Sequence, residues 1–157
     1  MTYRIKGLSR GEFEKYFSMS DAELAEHRAQ LVVAESDRGY PCRVSLENAR
    51  RGERLLLLHH TSHDVETPFR SSFAIYVREV AEDVPDYVDS LPPVFEGRPL
   101  ALRGYSADGM LKNARLALAG DADGVIRELF ADQDIAYIEA HNAAHGCFAA
   151  HIERDER

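Results

Sequence analysis

Apolar and polar residues alternate along much of the chain in short runs. Tyr3 and Ile5 stand against Arg4 and Lys6, which predicts a strand over 2–7. Ser9-Arg10-Gly11-Glu12 has capping-box spacing and predicts a helix over 10–17, with Phe13, Tyr16 and Phe17 on one side. Ser20-Asp21-Ala22-Glu23 repeats the device and opens a second helix, to Arg28, with acids in its first turn. Leu31, Val32 and Val33 predict a strand within 29–35, and residues 45–52 read as a helical turn running into a loop. Leu55 to Leu58 is apolar at every position, as in a strand buried on both faces.

Residues 59–72 are polar and contain Pro68, which predicts a long loop. Phe73, Ile75 and Val77 alternate with Ala74, Tyr76 and Arg78 in a further strand. Residues 82–99 carry four prolines and several acids and read as an irregular connection with a turn of helix near Tyr87. Asp108-Gly109 between the apolar stretches 100–105 and 110–118 predicts a hairpin, although the second stretch would also tolerate a helix. Asp121 or Asp123 caps a helix to Ala131, with Val125, Ile126, Leu129 and Phe130 facing inward. Strands over 135–142 and 147–153 flank a short loop with Gly146. The sum is a single α+β domain over residues 1–157, a mainly antiparallel sheet of about six to seven strands with about three flanking helices.

Composition narrows the classes of function. At 157 residues and 45% hydrophobic residues, the chain can bury a core. A net charge of −8 argues against nucleic-acid binding, which needs a basic face. The longest purely apolar run, Leu55 to Leu58, falls far short of the about 20 residues of a membrane helix. Met1 to Lys6 carries no long apolar stretch, so no secretory signal is expected and a cytoplasmic location follows. The two cysteines make no disulfide framework.

Chemistry concentrates in two punctuated stretches, Gly39-Tyr40-Pro41-Cys42-Arg43 and His141-Asn142-Ala143-Ala144-His145-Gly146-Cys147-Phe148. The first continues as Val44-Ser45-Leu46-Glu47. With Thr67-Pro68-Phe69-Arg70-Ser71-Ser72, Ile75-Tyr76-Val77-Arg78-Glu79 and Gly146-Cys147-Phe148-Ala149-Ala150, it resembles the bacterial domain-of-unknown-function family 1203, block by block and in order. The resemblance covers nearly the whole chain and implies an uncharacterised protein.

Arg43, together with Arg70 beside Ser71, His141 and Asn142, forms a candidate set of donors for a carboxylate or phosphate. The favoured reading is a small polar or anionic ligand-binding module, with its site where the 40–43 turn, the 59–72 loop and the 141–147 hairpin converge. An alternative is a thiol-dependent or metal-assisted hydrolase using Cys42 or Cys147 with His141 or His145 as base. A metal would need three or four converging donors, and the neighbours His59 and His60 point to opposite faces of a strand end. No metal site and no cofactor is therefore assigned. The remaining alternative is a homodimer formed through an exposed strand edge.

Overall fold

A computed structural model describes all residues, 1–157, as two antiparallel sheets with two α-helices. The strands are β1 (Tyr3–Lys6), β2 (Ala29–Val33), β3 (Arg54–His63), β4 (Ser71–Arg78), β5 (Tyr87–Val88), β6 (Leu100–Tyr105), β7 (Leu111–Ala117), β8 (Tyr137–Asn142) and β9 (Phe148–Arg154). The helices are α1 (Asp21–Glu26) and α2 (Ala122–Phe130). One sheet has six strands in the order β5-β1-β9-β8-β6-β7; the other has three, β2-β3-β4. The α+β class stands, with nine strands in place of six to seven and two helices in place of three.

The missing helix is the stretch 10–17. Glu12 N–H donates to the Ser9 carbonyl and not to its hydroxyl, so no capping box forms, and Gly11 weakens an α turn. The segment runs as two 3-10 turns, Arg10–Glu12 and Glu14–Ser18, pinned by buried Phe13. At α1 the box does form: Ser20 Oγ accepts from Glu23 N–H at 3.2 Å, and Glu23 returns the bond to Ser20 N–H.

The predicted 59–72 loop is shorter than expected. β3 continues through His63, pairing His59 with Ala74 and Thr61 with Ser72, so only residues 64–70 form the connection. Half-exposed strands accept polar residues, and this one carries its histidines on the ladder. Residues 45–52 contain no helical turn; they fold back so that Pro41 bridges Asn48. Near Tyr87 there is a two-residue strand against β1 in place of a helical turn. The Asp108-Gly109 hairpin joins β6 to β7 as its sequence predicts.

The larger core lies between one face of the six-stranded sheet and α2, where Ile126, Leu129 and Phe130 meet Leu100, Leu102, Ile138 and Ile152. The smaller core lies on the three-stranded sheet. Leu56, Leu58, Ile75 and Val77 pack there against Phe13 and Leu24 and reach Cys42, Val44 and Phe148. Residues 42–44 and 148 thus join the two sheets at the place where the two chemistry-bearing stretches meet. No helix is long and apolar enough to cross a membrane.

Candidate functional site

The turn over residues 40–49 is closed by backbone bonds: Cys42 N–H to Glu47 O at 3.0 Å, Leu46 N–H to Cys42 O at 3.1 Å, and Ala49 N–H to Tyr40 O at 2.9 Å. Leu46, fully buried, takes φ +54° to complete the turn. The segment that follows β1 docks against the turn through Leu8 N–H to Arg43 O at 2.8 Å. Gly7 makes that approach possible, because a Cβ there would overlap the Val44 carbonyl oxygen.

Arg43 is 2% exposed. Its Nε donates to Phe148 O at 2.7 Å and one terminal nitrogen donates to Pro41 O at 2.5 Å. Burial pushes the guanidinium pKa below the ordinary value, the nearby Cys147 thiol opposes that shift, and no carboxylate neutralises the charge. It remains a cation at neutral pH.

The second turn is set by Gly146, at φ +81°, whose N–H donates to Asn142 O at 2.8 Å. Asn142 N–H donates to Cys147 O at 2.9 Å, and the Asn142 amide donates to Cys147 Sγ at 3.3 Å. His141, 1% exposed, braces this turn from behind. Its Nδ1 lies 2.9 Å from Gly146 O and its Nε2 lies 3.5 Å from an Arg103 terminal nitrogen. A carbonyl only accepts, so Nδ1 carries the proton. Burial, reinforced by the charge of Arg103, lowers the His141 pKa to about 4, and the ring is neutral at pH 7.

The two turns meet at the floor of a cleft of about 820 Å³. Arg43, Asn142 and Cys147 form the floor, and Arg98 joins them from the segment before β6. One wall belongs to the three-stranded sheet, with Leu57, Phe73, Ala74 and Tyr76. The facing wall is Pro99, Leu116 and Leu118, and Ala143, Ala144 and exposed His145 line the mouth. Arg98 donates to Asn48 Oδ1 at 2.6 Å and makes no ion pair. Although 27 acids occur in the chain, no Asp or Glu lines the cleft.

Of the residues singled out from sequence, Arg43, Asn142, His145 and Cys147 line this cleft. Arg70 lies outside it, its Nε 3.2 Å from Asp64 Oδ1, and Ser71 pairs with His63 on the β3–β4 ladder. His141 lies behind the turn, with both ring nitrogens engaged away from Cys147. Cys42 Sγ accepts from Arg78 N–H at 3.3 Å and from Ser45 N–H at 3.5 Å, beside a crevice with no room for a water. His63 donates from Nδ1 to Phe69 O at 2.8 Å and accepts at Nε2 from the Tyr137 hydroxyl at 2.7 Å. No three His, Cys, Asp or Glu side chains converge in a metal-holding arrangement.

Arg98 and the wall residues Phe73, Leu116 and Leu118 were missed. The available signal was Gly97-Arg98-Pro99, a lone cation between two turn formers at the end of an acidic stretch.

Fold and site together define a two-sheet α+β protein with an acid-free, cationic cleft between the sheets. The chain belongs to the family described as proteins of unknown function, DUF1203, whose model matches residues 39–154. The match spans every residue that lines the cleft, from Gly39 to Cys147. No curated protein and no solved structure matches the chain significantly.

Proposed function

We propose that the protein is a binding module for a small anionic ligand, taken into the cleft between the sheets. The observation that carries this reading is the charge balance of the lining: the guanidiniums of Arg43 and Arg98 face a cavity of about 820 Å³ without one carboxylate. Arginines in low-dielectric surroundings are ordinarily paired, and an unpaired set is completed by an anion from outside. Arg98 is the principal ligand group, because two nitrogens of Arg43 already hold carbonyls. The Asn142 amide adds a directional donor, and the apolar walls offer contact surface to the rest of the ligand.

Calorimetric titration with benzoate and with inorganic phosphate tests the reading. Arg98→Gln weakens binding of the preferred anion by about tenfold or more, the equivalent of one charge-assisted hydrogen bond. Absence of heat with either anion at millimolar concentration, or undiminished binding by the variant, overturns it.

A thiol-dependent reading rests on Cys147 alone. Its sulfur lies at the cleft floor beside Arg43 and accepts from the Asn142 amide at 3.3 Å, where a molecule in the cleft would meet it. His141 is turned away, so His145 at the cleft mouth is the base this reading would use. Alkylation of Cys147 by iodoacetamide that is unaffected by His145→Gln would count against it.

A further inference from the structure

The cleft runs along an open strand edge. β4 is the outer strand of its sheet, and its wall residues come from both of its faces: Tyr76 and Ala74 from one, Phe73 from the other. A cavity that touches both faces of a strand must pass its edge. The backbone there is partly occupied, since Tyr76 O accepts from Arg43 N–H at 3.1 Å. Residues of equal parity in an antiparallel strand turn their polar groups the same way, so Ala74 also directs its N–H and C=O outward. His59, opposite Ala74, bonds Arg28 O on its far side, at 3.1 Å, as that pattern requires. Neither outward group of exposed Ala74 has a partner. Beside this edge stand three large apolar side chains left in solvent: Phe73 at 52% exposure, Leu116 at 62% and Leu118 at 58%.

An anion site at the floor, an unpaired backbone edge along one wall and apolar side chains on both walls match three parts of one ligand. We propose that the cleft receives the C-terminal end of an extended peptide. Its carboxylate is held by Arg98 and Arg43, its backbone adds to β4 at Ala74, and its last apolar side chain lies between Phe73 and Leu116. Because Arg43 sits at the Tyr76 end of the edge, a chain ending there runs parallel to β4. The inference rests on the anion-binding reading of the same cleft and adds the class of molecule that carries the anion.

The test uses the full chain and four probes: an N-acetylated pentapeptide of alternating Thr and Val ending in Leu with a free carboxylate, its C-terminal amide, the same acid with the central backbone nitrogens methylated, and octanoate. Fluorescence anisotropy, with a fluorophore replacing the acetyl group on the labelled peptides, and competition for octanoate give the affinities. The peptide acid binds about tenfold or more tightly than the amide, as loss of a charge-assisted pair requires, and more tightly than the methylated acid, which cannot pair with the edge. Octanoate binding as tightly as the peptide acid, with methylation immaterial, overturns the peptide inference and leaves the anion site standing. Failure of all four, with benzoate and phosphate also silent, overturns both.

Discussion

Replacing His141 by asparagine should flatten the acid side of the stability profile. His141 is buried, and its pKa falls from the ordinary 6.5 to about 4 in the folded chain, through burial first and then the charges of Arg103, His63 and Arg43. A base that is harder to protonate when folded draws the protein toward the unfolded state as pH falls. The stabilisation is complete above the unfolded value near 6.5 and is lost downward toward 4. Linkage between these two values gives a loss of about 2 kcal/mol by pH 5 and about 3 kcal/mol by pH 4, relative to pH 8. Asparagine keeps a donor for the Gly146 carbonyl and does not titrate. His151 has an opposite influence: burial opposes its charging, but Glu139 and Glu153 outweigh burial and raise its pKa, so its contribution is present at low pH and lost as pH rises. That contribution is common to both proteins and cancels in the comparison. Urea unfolding at pH 8, 6.5 and 5, followed by far-ultraviolet circular dichroism, gives the two profiles. The wild type should lose about 2 kcal/mol more than the variant between pH 8 and 5. Parallel profiles would mean that His141 titrates normally and that the brace behind the 142–147 turn is not the buried, neutral ring described above.

Three further outcomes are expected. Gly7→Ala should cost about 1–3 kcal/mol in urea unfolding, because the new methyl meets the Val44 carbonyl and displaces the turn that carries Arg43; an unchanged midpoint would show that β1 can shift freely. Arg78→Met should cost about 2 kcal/mol, since Arg78 joins β4 to the 45–53 segment through Glu53 at 2.8 Å and Glu47 at 2.6 Å; a loss that fails to shrink in high salt would assign the effect to packing. Iodoacetamide should modify Cys147 in the folded protein and spare Cys42, whose sulfur is 1% exposed by residue and holds two backbone N–H groups; peptide mass mapping that finds equal labelling would place the cleft floor elsewhere.

How far the sequence reveals this fold depends on how local the determinants are. The capping box at Ser20 and the Asp108-Gly109 turn act within a few residues, and both appear where the pattern puts them. The apolar run from Leu55 to Leu58 likewise becomes the middle strand of its sheet. Failures come where a local preference is overruled from a distance. The box at Ser9 loses to a core anchored by Phe13, whose burial ties the segment to β3 and α1. The polar residues from His59 to His63 read as loop because a run of polar side chains has the composition of a segment exposed on both sides. In the sheet, pairing with β4 supplies the backbone bonds and the polar side chains need only one open face.

For the site, the punctuated stretches were legible and their companions were not. Gly39, Pro41, Asn142 and Gly146 mark turns whatever surrounds them, so Arg43, Asn142 and Cys147 stand out beside them. Arg70 followed by two serines has the composition of an anion cradle, but β4 begins at Ser71 and pairs both serine backbones with β3, while the exposed guanidinium turns to Asp64. Arg98, in contrast, is a lone cation between Gly97 and Pro99, and only the meeting of the two sheets brings it beside Arg43. The two cleft arginines then divide structure from binding. Arg43 donates to two backbone carbonyls from a buried position, so its loss removes both bonds from the core and falls on stability. Arg98 bonds a single asparagine side chain, Asn48, so under the proposed reading its loss falls on binding and spares the core. A charge that faces an acid-free hollow while doing little for the fold is what a binding group should look like, and by that measure Arg98 ranks above Arg43.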